Sequence, residues 1–279
     1  MRGLFFWSLA ALALVSCREE AHEETRSPVS ATPLPPPGTP PGTPPDTAAT
    51  PLATPRGARS VAEETDTFLF EYAYPQPPGD IPELAAWLDR RLEQEREKLA
   101  NEADRAREAA RNDGFPFNKF SSETQWQVVA DLPDYLSLSA ALSTYTGGAH
   151  PNYGFDATIW DKASGKALEP MSLFTSAGAL DRALGRQLCD ALNAERAKRR
   201  GTEIAEGSDE GFDACVKPDE TNLLLGSRSG RKFDRVGVRI APYIAGPYVE
   251  GAYEFTFDVT PAVLATVRPE YRDAFAARN

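Results

Sequence analysis

The chain has 279 residues, 41% of them hydrophobic and 25% charged, with 30 basic against 41 acidic side chains and a net charge of −11. That length supports one large domain or two small ones once non-globular stretches are set aside, and the acid excess disfavours nucleic acid while steering toward cationic partners. Two histidines and three cysteines in all exclude HExxH and every site that needs several imidazoles.

Residues 1–16 read as an export signal. Arg2 and the amino terminus supply its positive end, and GLFFWSLAALALV supplies an apolar stretch too short to span a bilayer comfortably. The signal ends in Leu14-Val15-Ser16-Cys17, which resembles the lipobox of bacterial lipoproteins. The resemblance implies cleavage before Cys17, acylation of its sulfur, and a lipid anchor in place of a spanning helix. Arg18 stands where an aspartate would retain the protein at the inner membrane, which places the anchor on the periplasmic face of the outer membrane. Residues 17–60 form a linker in which eleven of the chain's 24 prolines fall between Pro28 and Pro55. Such a stretch buries almost nothing apolar and favours extended polyproline II, a stiff tether.

In the folded part, Phe68, Phe70, Tyr72 and Tyr74 alternate along TFLFEYAY, which predicts a half-buried strand. From Ile81 to Asn112, Leu84, Leu88, Leu92, Leu99, Ala103, Ala106 and Ala110 recur among charged residues at helical spacings, which predicts a long amphipathic helix. Strands follow over Gln125–Ala130 and Tyr135–Tyr145, the second with Leu136, Leu138, Ala140 and Leu142 inward and its serines largely outward. Another runs through Tyr153, Phe155, Ala157 and Ile159 to a turn at Asp161–Lys166, all three most simply antiparallel. Ser176–Arg200 reads as a second helix, with Leu180, Leu184, Leu188, Ala191 and Leu192 on one side. Its basic end, AKRRG, suits the negative pole of the helix dipole. Asn222–Gly226, Lys232–Ala241 and Ala252–Val259 read as strands. The order predicts an α+β fold of antiparallel sheets with the two main helices on one face.

Motifs of catalysis do not appear. GSRSG at Gly226–Gly230 has the wrong spacing for a nucleophile elbow, no glycine-rich phosphate cradle occurs, and Asp209, Glu210, Asp213, Asp219 and Glu220 match no calcium loop and read as a solvated stretch. No catalytic residue, metal ligand set or cofactor is therefore assigned. With Cys17 given to lipid, Cys189 and Cys215 are most simply a disulfide in an exported domain.

Tyr145 to Phe174, YTGGAHPNYGFDATIWDKASGKALEPMSLF, resembles the corresponding segment of envelope domains in lysozyme-sensing anti-sigma factors of the RsiV type, and IAPYIAGP at 240–247 resembles the same family's second motif. Phe68 to Tyr145 is similar to the companion domain that precedes it there and in PdaC-type deacetylases. The resemblance implies a companion domain over 61–146 and an RsiV-type domain over 147–279. The sigma-binding segment with its membrane helix and the catalytic deacetylase domain do not accompany these modules in this chain, so neither activity is carried over. What is implied is a non-enzymatic module that binds a lysozyme-like cationic protein or peptidoglycan. The rivals are an enzyme acting on cell-wall glycan and a structural envelope lipoprotein. The residues expected to bind are Tyr145, Gly147, Gly148, His150, Pro242, Tyr243, Gly246, Pro247 and Tyr248, two turns at strand ends brought side by side. For His150 alone the expected role is to fix its turn through neighbouring backbone, since a lone histidine with no nucleophilic or acidic partner is a poor catalyst.

Overall fold

The computed structural model describes residues 57–278 apart from 206, 209 and 210; the export signal, Cys17 and the tether as far as residue 56 lie outside the described residues. Strands β1 (Arg59–Glu64), β2 (Phe68–Tyr74), β3 (Phe120–Asp131), β4 (Tyr135–Tyr145), β5 (Asn152–Asp161) and β6 (Lys166–Leu168) form one sheet in that order. Every neighbouring pair is antiparallel except β2 and β3. Those two are parallel because helix α1 (Pro82–Asp113) lies between them and carries the chain back, as a parallel pair requires. Strand β1 has no counterpart among the sequence-predicted strands. RSVAEE lies at the sheet edge with every second residue exposed, so its pattern is barely apolar.

Proline at the start of α1 sits where a missing N–H costs nothing, and Gly114, at φ 72°, ends the helix in the left-handed conformation that glycine adopts freely. Leu84, Leu88, Leu92, Leu99 and Ala103 are buried against Phe68, Phe70, Tyr72 and Tyr74 of β2, Trp126 of β3, and Leu136, Leu138 and Ala140 of β4. Each such apolar side chain contributes roughly 1.5–3 kcal/mol on burial. Ala106 and Ala110 are only half-buried, so the last turns of the helix overhang the sheet. The Tyr72 hydroxyl, inside this core, donates to the Leu88 carbonyl at 3.2 Å and accepts from the Trp126 indole at 2.9 Å.

A second sheet, β7 (Asn222–Gly226), β8 (Arg235–Ile240) and β9 (Tyr253–Asp258), is antiparallel throughout. Its Leu223, Leu225, Val236, Val238, Ile240, Tyr253 and Phe257 pack with Leu180, Leu184, Leu188 and Leu192. Those four leucines are spaced by four residues, a spacing that drifts around an ideal helix of 3.6 residues per turn. The chain compensates locally. A turn Ala177–Leu180, capped by Ser176 on the Ala179 N–H at 3.1 Å, passes into a wider i→i+5 turn at Asp181–Gly185 before helix α2 (Arg186–Arg200). The wider turn keeps leucines spaced by four on one side. The two long helices thus serve separate cores.

Ser137 and Ser139 do not face solvent as their alternation suggests: they are 0% and 2% exposed. They pair with Ile159 and Ala157 on the face of the first sheet turned away from α1, and Ile159, with Ala130 and Leu132, belongs to the second core. Small side chains on β4 fit beneath that second layer. The sheet passes from β4 to β5 across residues 146 and 147, while the cores divide by face, Ile159 in the second and Trp160 in the first. Among the described residues no helix is long and apolar enough to cross a membrane.

Candidate binding edge

Between β4 and β5 the chain turns through Gly147 and Gly148, at φ 97° and 102°, a region closed to most side chains. The Tyr145 hydroxyl crosses the turn to the Gly148 carbonyl at 3.1 Å. Between β8 and β9 the chain makes a second turn in which Tyr243 N–H donates to Gly246 O at 2.9 Å. Tyr243 has φ 69° and is the one non-glycine residue in the left-handed region among those described. For a bulky residue that conformation is costly, and such strain persists only where surrounding contacts hold it.

The two turns meet. The His150 imidazole stacks on Tyr248 with ring centroids 3.8 Å apart and planes 19° from parallel. Tyr243 lies 5.8 Å and Tyr153 5.6 Å from the same Tyr248 ring. The Tyr248 hydroxyl donates to the Pro151 carbonyl at 2.8 Å. His150 Nδ1 lies 3.0 Å from that carbonyl, which can only accept, so Nδ1 carries the proton; Nε2, 3.3 Å from the Tyr243 hydroxyl, then accepts from it. Nδ1 thus fixes the ring within its own turn, and Nε2 ties it to the other. Pro242 and Gly246 are buried beneath the edge and Pro247 leads into the short turn Tyr248–Glu250. Around this cluster Tyr243, Ile244 and Val249 are 53%, 41% and 90% exposed. Elsewhere among the described residues Leu69, Phe115 and Phe212 are large, apolar and exposed by 39% or more, so half of such residues belong to this one edge.

What holds the second turn is a group that the sequence marks only as a basic helix end. Arg196, fully buried, donates from Nε to the Ala245 carbonyl at 2.9 Å and from Nη1 to the carbonyls of Asp213 and Ala214 at 3.2 and 3.1 Å. Arg200 bonds Glu250 through two nitrogens at 2.7 and 3.0 Å and Asp213 at 2.6 Å. Arg199 reaches the carbonyls of Glu250 and Ala252 at 2.6 and 2.8 Å, with its guanidinium over the Tyr253 ring. Glu250 also accepts from Tyr253. A side chain at Gly246 would meet a Glu250 oxygen at 2.1 Å, so the carboxylate can close on Arg200 only because the glycine leaves room. The helix dipole is a minor part of what these arginines do.

Arg200 holds the Glu250 carboxyl below its ordinary value, against the upward pull of burial. Because the folded pKa is depressed, the stabilisation is present above the unfolded value and lost as the pH falls through the folded one. Thermal melts of wild type are expected to fall away below about pH 4.5. Glu250→Gln is expected to start lower at pH 7 and to lose less over the same acid range. Parallel curves for the two proteins would show that Glu250 carries none of the acid limb.

Cys189 on α2 is disulfide-bonded to Cys215, with Cα atoms 5.2 Å apart. Among the described residues no group of three or more His, Cys, Asp or Glu side chains is arranged to hold a metal ion.

Residues 61–153 match the family model described as Deacetylase PdaC. No curated protein sequence matches the chain. Among solved structures, a DUF3298 family protein from Pseudomonas aeruginosa PAO1 is 18% identical, covering 80% of this chain and 98% of that one, at a TM-score of 0.47. A member of the DUF3298 family from Bacteroides fragilis is 16% identical, covering 73% and 92%, at a TM-score of 0.46. The matched segment takes in the His150 turn, whereas the Tyr243–Tyr248 turn lies beyond it.

Proposed function

With residues 61–153 a PdaC-type segment that contains the His150 turn, we propose that this chain is a non-enzymatic, lipid-anchored binding module on the periplasmic face of the outer membrane. Its recognition surface is the edge formed by Tyr145, Gly147, Gly148, His150, Pro242, Tyr243, Gly246, Pro247 and Tyr248, and its partner is a cationic envelope protein of the lysozyme kind. The observation that carries this reading is the gathering of exposed Tyr243, Ile244 and Val249 around a stacked, hydrogen-bonded aromatic cluster. Stiff aromatic side chains already held in place lose little freedom on binding. The net charge of −11 favours encounter with a basic protein. Tyr243→Ala and Tyr248→Ala are each expected to weaken binding of purified lysozyme, measured by surface plasmon resonance, by about tenfold or more, the usual loss at an aromatic anchor. Unchanged affinity in both variants would remove this surface as the site.

A second reading, an enzyme acting on cell-wall glycan, has one observation in its favour. A cavity of about 250 Å³ between α1 and strands β3 and β4 is lined by Glu95, Glu102 and Glu123 together with hydroxyls of Ser122, Thr124 and Thr144. Burial raises the Glu95 carboxyl above its ordinary value, the direction a general acid requires. On this reading wild type releases reducing ends from soluble peptidoglycan fragments and Glu95→Gln does not. On the binding reading neither protein does.

A further inference from the structure

The disulfide and the recognition edge are joined by an unbroken run of contacts. Asn193, one turn along α2 from Cys189, donates to the Cys189 sulfur at 3.7 Å and accepts from Arg196 at 2.9 Å. On the other side of the bond, Cys215 follows directly on Asp213 and Ala214, whose carbonyls accept from Arg196. The Asp213 carboxylate accepts from Arg200. The same two arginines hold the Ala245 carbonyl and the Glu250 carboxylate, between which lie Gly246, Pro247 and Tyr248. Two of the acceptors that orient the buried Arg196 therefore come from a segment whose covalent tie to α2 is the disulfide, beside its hydrogen bonds to Arg196 and Arg200. The His150 turn has its own internal bonds from Tyr145 and His150, but its contacts to the second turn are the stacking on Tyr248, the Tyr248 hydroxyl on Pro151 and the Nε2 contact to Tyr243.

We propose that the Cys189–Cys215 disulfide and Arg196 are positioning elements for the aromatic edge, so that the edge is assembled in the oxidised protein and released in the reduced one. This rests on the reading above only in taking the edge as the recognition surface. Reduction by a dithiol breaks the S–S bond. Two electrons and two protons pass to the sulfurs, giving two thiols, and the dithiol leaves as its own disulfide. Residues 213–215 then lose their covalent tie to α2, and the hydrogen bonds to Arg196 and Arg200 are left to hold them there against the motion of the loop. When these give way, Arg196 loses the carbonyls that aim its fork at Ala245, and the strained Tyr243 conformation loses its support.

The experiment uses the full chain carrying Cys17→Ser and His22→Ala, in which His150 is the sole histidine. Its imidazole proton resonance reports the stacking on Tyr248 directly, with no partner present. Dithiothreitol is expected to shift that resonance toward the position of a free imidazole. It is also expected to raise amide exchange over residues 241–251, while the indole resonances of Trp87 and Trp126 in the first core stay in place. Arg196→Lys in the oxidised protein is expected to move His150 the same way, since a point charge cannot reproduce the fork. Full reduction, verified by two titratable thiols, with an unmoved His150 resonance would overturn the proposal. So would simultaneous collapse of the tryptophan signals, which would make the bond a prop for the whole fold, or an unmoved resonance in Arg196→Lys. Lysozyme binding is measured separately. Binding that survives release of the edge sinks the functional reading and leaves the positioning intact, while an unmoved His150 with normal binding sinks the positioning alone.

Discussion

Arg196→Met is expected to destabilise the protein by about 2–3 kcal/mol, lowering the melting temperature by roughly 5–10 °C for a domain of this size. Methionine fills much of the volume but offers no donor, so the carbonyls of Asp213 and Ala214 lose the Arg196 hydrogen bonds and that of Ala245 keeps only its longer bond from Arg200 at 3.3 Å. A buried acceptor left unpaired costs about 1–3 kcal/mol. Acting the other way is relief of a charge that the site disfavours. Burial pulls the Arg196 pKa down and the like charge of Arg200 pulls it further, and replacing a buried charge by an apolar group recovers part of that cost. Three weakened or lost hydrogen bonds outweigh one relieved charge, because the Ala245 end of the site is buried and the Asp213 and Ala214 carbonyls are partly so. Urea unfolding with an unchanged slope and a lower midpoint would bear this out. A change below about 0.5 kcal/mol would mean that both loops hold their shape without the arginine.

Removal of the disulfide is expected to cost about 3–4 kcal/mol. The bond closes a separation of 26 residues, and in the chain-entropy description a loop of that length restricts the unfolded ensemble by about that amount. In a Cys17→Ser background, Cys189→Ala with Cys215→Ala is expected to melt roughly 7–15 °C lower than the oxidised parent. Dithiothreitol should bring the parent to the same point and leave the double variant unmoved. Equal melting of parent and variant before reduction would remove the bond as a source of stability. The unfolded chain carries most of this effect, so it adds to the loss at Arg196 only in part: Asn193 touches both groups and couples them.

Most of the elements were legible in local pattern. Alternation in FLFEYAY marks β2, and its aromatic residues at 68, 70, 72 and 74 are the buried ones. The spacing of Leu84, Leu88, Leu92 and Leu99 marks α1 and the face it buries. The pairing of β4 with β5 follows from two alternating runs joined by a glycine turn. These features are legible because period and turn chemistry are properties of neighbouring residues. The glycine and tyrosine content of the two turns likewise identified the segments that meet at the edge, with the resemblance to known envelope domains supplying their adjacency.

The sequence by itself determined which segments are strands and helices, which side chains are apolar enough to need cover, and that Cys189 and Cys215 can pair. Tertiary structure alone decided which surface covers what. Ser137 and Ser139 alternate like solvent-facing residues, yet a second layer lies over them, and no local period records a layer contributed from residue 180 onward. The parallel register of β2 and β3 depends on where α1 delivers the chain. Arg199 and Arg200 read as a basic helix end suited to the dipole, and Arg196 carries no signal of its own, until α2 is packed beside residues 213 and 245–252, when their hydrogen bonds make the three arginines the clamp of the edge. The contact between His150 and Tyr243 spans 93 residues of chain. Its geometry is set by the relative placement of two sheets, and only three-dimensional packing energy selects that placement.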